Sequence, residues 1–374
     1  TQLQTINNAT TGTVFVPAKA VNLTGTRAVL VEALAGTVTD ASNDKITGTV
    51  TLTAAGGDPT AAQLKILNDS IDGAIKVPDK TVQLSGTAAV LTSALTGTVT
   101  DAAGDKIEGT VTITAAGGNP DSAQLKTIND ATNATIIVPS KAVALSGTAA
   151  VLAAALDGTV TDAAGDKIEG NVTISNTPTE AQLKTINDAT NASIQIPAAN
   201  QTFTGTAAVL AAALTGTVTG PSAAALSGAV SVSDGAGESV AATLLSTIAT
   251  GTSGTVTVGA AINITGTADQ VVAALDTNGV VASTATITLD DTPTVTELQT
   301  LNGKTSGAIK IANGAITYSA NADVLAAALD GTVTDGAGNS LTGNMTIAAA
   351  GGNPNATQLQ TINNATTGTV FVPS

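Results

Sequence analysis

The apolar residues of this chain recur in two short alternating patterns. In one, leucine and isoleucine stand three or four positions apart, as in SAQLKTINDAT and TAAVLAAAL, which is the spacing of an amphipathic helix. In the other, valine or isoleucine alternates with threonine over about five residues, as in TVTIT, which is typical of a half-buried strand. Glycine, proline, asparagine and aspartate separate these segments. The pattern predicts units of about 30 residues, each a short helix followed by two short strands.

The helical phrase xQLxTINxAT recurs along the chain and sets its period. Its leucine recurs at Leu3, Leu64, Leu125, Leu183, Leu298 and Leu359, with Leu245 in the widest gap. The second helical phrase, GTAAVLxxAL, starts at Gly25, Gly86, Gly147 and Gly205, and in looser form at Gly266 and Asn321. We therefore predict one continuous repeat array over residues 1–374, with six repeats of about 59 residues, or about twelve half-repeats.

A unit of this size cannot bury its own apolar face, but copies stacked on one another can. The predicted fold class is a β-rich repeat solenoid with short helices, in which helix-strand-strand coils stack their strands into parallel sheets. Twelve coils at the strand spacing would extend on the order of 60 Å. The alternative is a string of small α+β beads joined by linkers. The chain carries no Ser/Pro-rich linker between repeats, which favours continuous stacking.

The first and last segments of the chain have one sequence. Residues 357–373 repeat residues 1–17 at all 17 positions, and the TGTVFVP within them occurs in no internal repeat. Internal members of the repeat family differ from one another at many positions. We therefore predict a second-order period, in which residues 357–373 restart a 356-residue block that began at 1–17 and is copied in tandem in a longer parent chain.

Composition excludes several classes of function. The chain lacks Cys and His, which removes thiol nucleophiles, disulfides, imidazole bases and metal sites with N or S ligands. Its net charge of -15 repels nucleic acid and anionic lipid. The apolar runs fall short of the roughly 20 residues that span a bilayer, so we expect no membrane insertion. Nothing pairs a nucleophile with a base, and we predict that the chain is not an enzyme.

Acidic residues cluster in a recurring loop, DAAGDKIEG, at residues 101–109 and 162–170. Calcium prefers such clustered oxygen ligands, and it is the one candidate cofactor. The candidate ligands are Asp101, Asp105, Glu108, Asp162, Asp166 and Glu169. The spacing matches no EF-hand loop, and Asp at the start with Gly at the end is also ordinary turn chemistry. Both interpretations stay open at this point, with the plain turn favoured.

An asparagine recurs just after the TI or IL of the first helical phrase, at Asn7, Asn68, Asn129, Asn187, Asn302 and Asn363. This row could present glycans or bind a ligand. We favour a structural role, because Asn tolerates the left-handed turn that ends a helix and its amide can satisfy backbone groups of neighbouring coils.

Threonine flanks valine on both sides in several predicted strands, centred on Val38, Val99, Val111, Val160 and Val333. A period of two predicts that valine points inward and both threonines outward. Such rows resemble ice-binding solenoids, although Ser231 and Ser233 interrupt the column. The plainer interpretation is that threonine suits exposed strand positions.

The AAGGDP and AAGGNP segments precede helical phrases and lack the basic residue of a phosphate loop. We predict that Asp58, Asn119 and Asn353, each followed by proline, enter and cap the next helix.

The phrases SGTAAVLAAAL, GTVTITAAGG and AQLKTINDATNATI resemble those of giant repetitive cell-surface proteins of cyanobacteria, including motility-associated proteins and long bacterial adhesins. The resemblance implies an extracellular location, a structural or adhesive role, and calcium as a candidate ligand. The calcium-binding nonapeptides of many such adhesins are missing here, and no catalytic residues are carried over.

The sequence therefore predicts an extracellular structural repeat protein that forms a rod or fibre on a bacterial cell surface. Its expected partners are copies of itself, end to end, or neighbouring repeats of a longer chain, and cell-surface polysaccharide. The alternatives are an adhesin for glycan or mineral surfaces, for which the divergent residues 220–291 are the place to look, and an ice-binding solenoid.

Overall fold

The structure, a computed structural model, describes residues 1–372. It is an α/β fold of short helices and short parallel strands arranged in stacked parallel sheets, consistent with a solenoid-like repeat. Residues 1–372 contain thirteen α-helices: α1 (Gln2–Asn8), α2 (Arg27–Leu34), α3 (Ala61–Ser70), α4 (Ala88–Leu95), α5 (Ser122–Ala131), α6 (Ala149–Leu156), α7 (Glu180–Ala189), α8 (Ala207–Leu214), α9 (Ala242–Thr250), α10 (Ala268–Val272), α11 (Val295–Asn302), α12 (Ala322–Leu329) and α13 (Ala356–Ala365).

Between the helices lie strands of two to four residues. They are β1 (Val14–Val16), β2 (Leu23–Gly25), β3 (Val38–Asp40), β4 (Val50–Leu52), β5 (Ile75–Lys76), β6 (Leu84–Gly86), β7 (Val99–Thr100), β8 (Val111–Ile113), β9 (Ile136–Ile137), β10 (Leu145–Gly147), β11 (Val160–Thr161), β12 (Val172–Ile174), β13 (Ile194–Gln195), β14 (Phe203–Gly205), β15 (Val218–Thr219), β16 (Val230–Val232), β17 (Ser239–Ala241), β18 (Val256–Val258), β19 (Asn263–Gly266), β20 (Thr286–Leu289), β21 (Ile309–Ile311), β22 (Tyr318–Ala320), β23 (Val333–Asp335), β24 (Met345–Ile347) and β25 (Val370–Phe371).

The chain forms two compact units. The first comprises residues 1–178 and 185–197, and the second comprises residues 179–184 and the chain from residue 198 onward. In the first unit the parallel pairings are β1-β3, β2-β4-β5-β7, β6-β8-β9-β11 and β10-β12-β13. In the second unit they are β14-β16-β18, β17-β19-β20-β21-β23 and β22-β24-β25. Strands of successive coils thus pair in parallel, as the repeat pattern predicts.

The order of strands within a sheet follows a rule that periodicity alone does not reveal. The sheet β2-β4-β5-β7 takes the second strands of two half-repeats and then the first strands of the next two. A new sheet, β6-β8-β9-β11, starts with the following second strand and repeats the same order. Each coil of this region therefore contributes its two strands to different sheets, which ties consecutive repeats together.

Small aliphatic side chains form the core of both units. Leucines of the helices, such as Leu64 and Leu125, and inward strand residues, such as Ile75 and Ile136, are fully buried. Phe203 and Tyr318 are the aromatic residues inside the core of the described chain. Burying aliphatic area is the main favourable term of folding, at about 25 cal/mol per Å².

The prediction for the Thr-Val-Thr strands is confirmed for valine and wrong for one threonine. The five valines are buried. Of the five first threonines, Thr37, Thr98, Thr159 and Thr332 are exposed and Thr110 is half-buried. Thr39 is only 7% exposed, and it forms an antiparallel bridge with Lys45 in the turn after the strand. The outward face of these strands is therefore partly covered by their own turns.

The helix caps lie two residues later than the sequence predicted. Thr60 caps α3, Asp121 caps α5 and Asn355 caps α13, each accepting from the backbone N–H of a glutamine three residues on. The side-chain oxygen of that glutamine accepts the backbone N–H of the capping residue, which completes a capping box. The AAG residues before Asp58, Asn119 and Asn353 instead form short 3₁₀ turns at Ala54–Gly56, Ala115–Gly117 and Ala349–Gly351.

Glycine marks the place where successive coils come closest. A Cβ on Gly343 would lie 1.7 Å from the backbone oxygen of Ile316, and one on Gly368 would lie 2.4 Å from that of Gly343. The same relation links Gly73 to Gly48, at 2.0 Å. Only glycine lets backbones approach this far, so these residues fix the spacing of the coils.

Candidate functional site

The two DAAGDKIEG loops are hydrogen-bonded turns. The carboxylate of Asp101 accepts the backbone N–H groups of Gly104 and Asp105, each at 2.9 Å. Asp162 accepts those of Ala164 and Asp166 in the same way, at 2.8 and 2.9 Å. Gly104 and Gly165 have positive φ, which the tight turn requires. The first candidate calcium ligand of each loop is thus bonded to its own turn.

A lysine from the preceding coil pairs with the last acidic residue of each loop. Lys80 Nζ lies 3.0 Å from Glu108, and Lys141 Nζ lies 3.1 Å from Glu169 and 3.8 Å from Asp166. These hydrogen bonds and charges raise the pKa of Lys80 and Lys141 above the ordinary value of 10.5. The pairs lie at the surface, where salt screens them and each contributes little to stability.

The structure does not gather the six predicted ligands into cages. Within residues 1–372, no group of three or more His, Cys, Asp or Glu side chains is placed to hold a metal ion. The contacts of Asp101, Glu108, Asp162 and Glu169 are those of the alternative, a turn closed by hydrogen bonds and a lysine pair. Calcium binding stays a prediction.

The asparagine row caps the helices of neighbouring coils. Asn129 Nδ2 donates to the backbone oxygen of Ala154 at 2.8 Å and to that of Asp157, at the end of α6. Asn7, Asn68 and Asn302 make the equivalent pair of bonds to the ends of α2, α4 and α12. The last carbonyls of a helix have no partner within it, and the row supplies one from the coil before.

These bonds confirm the predicted structural role of the row, but the asparagines do not lie where the sequence predicted. The row was expected to end its own helices in left-handed conformation. Asn68 and Asn129 instead lie inside α3 and α5, and the left-handed non-glycine residues of the described chain are Asn43, Ser222 and Ala223. Positive φ falls on the glycine after the helix that the amide caps, such as Gly97 after α4.

The divergent repeat shows what happens without this amide. Ala249 stands where the others have asparagine. The next helix, α10, changes into a π-helical turn at Ala273–Thr277, and the backbone N–H of Asn278 bonds the oxygen of Ala273 at 2.9 Å. Ala273 is equivalent to Ala154 of α6, whose carbonyl accepts from Asn129. In the divergent repeat, the backbone N–H of Asn278 takes the place of that side-chain donor. The sequence signal was the missing asparagine.

The first unit carries two open clefts of about 520 and 430 Å³ that lie one repeat apart. Equivalent lining residues of the two clefts are 61 positions apart, as Lys45 is from Lys106 and Asn68 from Asn129. Lysine, asparagine and aspartate side chains contribute to both linings. The amide hydrogens of Asn68 and Asn129 are used on the backbone, but the lysine and aspartate groups offer donors and acceptors that suit a hydroxyl-rich ligand.

A pair of carboxyl groups in the second unit was not anticipated. A hydrogen bond with Glu297 raises the pKa of Asp269. Burial would raise the pKa of Glu297, but hydrogen bonds from the backbone and side chain of Thr294 outweigh it, and that pKa is lowered. Glu297 completes the capping box of α11, and Asp269 lies in the first turn of α10. Glu297 is therefore a helix-cap residue, and Asp269 is its hydrogen-bond partner in the first turn of α10.

Comparisons with known proteins add little. No family model matches the chain, and no curated protein matches it. Among solved structures, the leucine-rich-repeat ectodomain of the Arabidopsis receptor kinase HAESA, solved with an extended IDA peptide hormone, aligns at 10% identity and a TM-score of 0.17. The alignment covers 87% of this chain and 53% of that chain, and a likeness of this size carries no argument.

Within residues 1–372, none of the helices has the length and hydrophobicity to cross a bilayer.

Proposed function

We propose that this chain is part of an extracellular structural repeat protein, which forms a rod or fibre on a bacterial cell surface. The observation that carries the proposal is the asparagine row. Its members in α1, α3, α5 and α11 donate their amide hydrogens to the backbone of the next coil. A repeat whose recurring polar residues bind its neighbours is suited to building length.

The proposed mechanism is mechanical and colloidal. Stacked aliphatic residues make the core, and parallel backbone bonds run from coil to coil along one continuous array of six repeats. An acidic surface of net charge -15 keeps long polymers hydrated and apart. The resemblance to giant repetitive cyanobacterial surface proteins supports this assignment. Copies of the chain, end to end, are the proposed partners.

Electron microscopy of the native material tests this proposal. Continuous fibres or a regular surface coat are expected around cells that make the protein, and antibody against the repeats should label them. Isolated compact monomers would overturn the end-to-end arrangement.

A second candidate function is adhesion to surface polysaccharide, and the paired clefts favour it. Two equivalent clefts one repeat apart would engage a polymer at two points, which multiplies a weak single-site affinity. Replacing both Lys45 and Lys106 with alanine should then weaken retention on a polysaccharide column more than either single change. Lys310→Ala, in the other unit, is the matched control. Equal retention of all variants would exclude the clefts as the site.

Calcium is retained as a proposed ligand of the acidic loops. Its binding would require Glu108 and Glu169 to leave their lysines, so we expect low affinity. Thermal unfolding with calcium and with EDTA tests the idea directly. A thermal midpoint that is unchanged by EDTA would exclude calcium as a ligand. If EDTA lowers the midpoint of the parent chain but not that of the double variant Asp105→Asn/Asp166→Asn, calcium binds at these loops.

The ice-binding alternative has less support. It needs a flat array of paired outward threonines, and the turns after the strands cover one member of the pair at Thr39.

A further inference from the structure

The second unit carries an open cleft of about 420 Å³ that is built from the same parts of the repeat as the paired clefts of the first unit. It lies between the end of α8, the turn at residues 223–226 and the end of α9. Because α9 packs against both α8 and α10, the cleft belongs to an interior coil. Gly216 and Thr217 line it, as Gly158 and Thr159 line the equivalent cleft of the first unit. The recess is therefore a recurring feature of the repeat.

The lining of this cleft differs from that of its equivalents in charge. None of the described residues that line it is charged. The charged residues of the larger first-unit cleft are Lys45, Asp69 and Asp72, and the equivalent residues here are Ala225, Thr250 and Ser253, in that order. The chain around the cleft follows the same trend, because residues 185–303 contain no lysine or arginine. A ligand with carboxylate groups would therefore find no counter-charge here.

Hydroxyl groups take the place of the charges. Within residues 1–372, the side-chain hydroxyls of Thr217 and Thr219 form no hydrogen bond with the protein. The hydroxyls of Thr250 and Ser253 donate to backbone oxygens, and their own oxygens can still accept. Alanine methyl groups of the turn 223–226 add apolar surface. A sugar ring matches this lining, because it has hydroxyl groups around its edge and C–H groups on its faces.

The turn beside the cleft is held in an uncommon conformation. It follows Pro221, and Ser222 and Ala223 have positive φ values of 56° and 60°. In the equivalent turn at residues 101–109, positive φ falls on Gly104. Residues other than glycine keep such a conformation only where their surroundings enforce it. This wall of the cleft is therefore preformed, which lowers the entropy that binding would cost.

We infer that this cleft binds a neutral sugar unit of a polysaccharide and selects against sugars that carry carboxylate groups. A neutral sugar can exchange hydrogen bonds with the hydroxyls of Thr217 and Thr219. A uronate would lose part of the hydration of its carboxylate without gaining a counter-charge, on a chain that is already negative. The inference deepens the adhesive function proposed above and rests on it, whereas the structural role does not depend on it.

Native affinity electrophoresis of the full chain tests this preference. The gels contain a glucan, a mannan or a galactan, or the same polymer with its primary hydroxyl groups oxidised to carboxylates. We expect retardation by at least one neutral polymer and a dissociation constant about ten-fold or more higher for its oxidised form. Equal affinity for the two forms would overturn the inference, and so would the lack of retardation by all three neutral polymers.

Thr217→Val assigns the binding to this cleft. It removes a hydroxyl group and keeps the shape of the side chain, so we expect the dissociation constant for the neutral polymer to rise about 2- to 10-fold. The matched control is Thr255→Val, which changes another exposed threonine at the start of a strand, outside the cleft. It should stay within about 2-fold of the parent chain. Thermal midpoints check that both variants fold, and equal effects of the two changes would overturn the inference.

Ala225→Lys tests the selectivity by returning the lysine that the first-unit clefts carry. The ratio of the two dissociation constants, oxidised form over neutral form, should fall about ten-fold or more, since a carboxylate then finds a charged donor. Ala224→Lys adds the same charge to the neighbouring exposed residue, which does not line the cleft, and it should change the ratio much less. An equal fall in both variants would overturn the proposed selectivity.

The outcomes separate this inference from the proposed functions. If Lys45→Ala/Lys106→Ala loses the retardation and Thr217→Val keeps it, the second-unit cleft is overturned as the site and adhesion through the first unit stands. If no neutral or oxidised polymer retards the chain, the adhesive function is overturned together with the cleft. Neither result changes the structural role, which electron microscopy of the native material decides.

Discussion

At the scale of single residues, the side chains that matter most for this fold act between coils. Asn129 in α5 caps α6, and the side-chain oxygen of Asn176 accepts the first N–H of the same helix, from Ala149, at 2.7 Å. Both ends of α6 are therefore held by residues more than 20 positions away. Glycines such as Gly343 act through the lack of a side chain, which allows the backbones of adjacent coils to approach closely.

Gly343→Ala tests this close approach. Its Cβ would overlap the backbone oxygen of Ile316, and relieving that overlap should destabilise the protein by about 1–3 kcal/mol or more. The matched control is Gly336→Ala in the same unit, where the nearest atom is 3.9 Å away and the change should stay within about 0.5 kcal/mol. Urea unfolding of both variants measures the difference. Equal midpoints would contradict the role given to Gly343.

Asn129→Ala tests the asparagine row. It leaves the carbonyls of Ala154 and Asp157 without their side-chain donor, and we expect a loss of about 1–3 kcal/mol in the free energy of unfolding. Asn133→Ala, four residues on at an exposed position, is the control and should stay within about 0.5 kcal/mol. Chemical denaturation monitored by circular dichroism compares the two. A cost as large at Asn133 would show that the row has no special function.

At the scale of elements, each helix is too short to persist alone. The helices that come from the phrase GTAAVLxxAL have eight residues each in α2, α4, α6 and α8. Isolated helices shorter than about 12 to 15 residues are only marginally stable in water. Caps from neighbours and burial of the leucine face make up the difference. The turns after the strands are held more locally, by an aspartate that accepts backbone N–H groups two and four residues ahead, as Asp335 does from Ala337 and Asn339.

The turn at Asp335 makes stability depend on pH. Hydrogen bonds from the backbone and side chain of Asn339 lower the pKa of Asp335 below its ordinary 3.8. A lowered folded-state pKa contributes stability above pH 3.8 that is lost as the pH falls through the folded value. Asp335→Asn keeps the acceptor oxygen but cannot titrate. Thermal midpoints measured from about pH 5 to pH 2 should therefore fall less steeply for Asp335→Asn than for the parent chain. Parallel curves would contradict this role.

At the scale of the whole molecule, charge and repetition act against each other. Repetition allows equivalent coils to stack on one another, whereas a net charge of -15 makes copies repel. The lysines that pair with acidic loops, such as Lys80 with Glu108, neutralise charge locally and leave the excess in place.

Salt should therefore strengthen self-association. The Debye length shrinks from about 30 Å at 0.01 M to about 8 Å at 0.15 M, which screens repulsion between copies more than the uncharged contacts at the junction. Sedimentation of the parent chain over this range should show a rising oligomer fraction. A falling fraction would mean that ion pairs, and not uncharged contacts, hold the copies together.

Much of the local structure could be predicted from the sequence. The repeat period, the helix-strand-strand order and the inward valines followed from spacing alone. The predicted caps Asp58, Asn119 and Asn353 were displaced by two residues, because a competing 3₁₀ turn uses the preceding AAG. The burial of Thr39 was missed because a period of two places every second residue of a strand outward, whatever its surroundings. The Asp269–Glu297 pair was missed because its members are 28 positions apart.

The sequence by itself determined the units, since helical and strand periodicity are properties of neighbouring residues. It also determined the identity of the two end segments. Only the tertiary structure decided which strands share a sheet and which helix each asparagine caps. These features depend on backbone groups about 25 residues away, and their positions are set by the packing of whole coils and not by any local pattern.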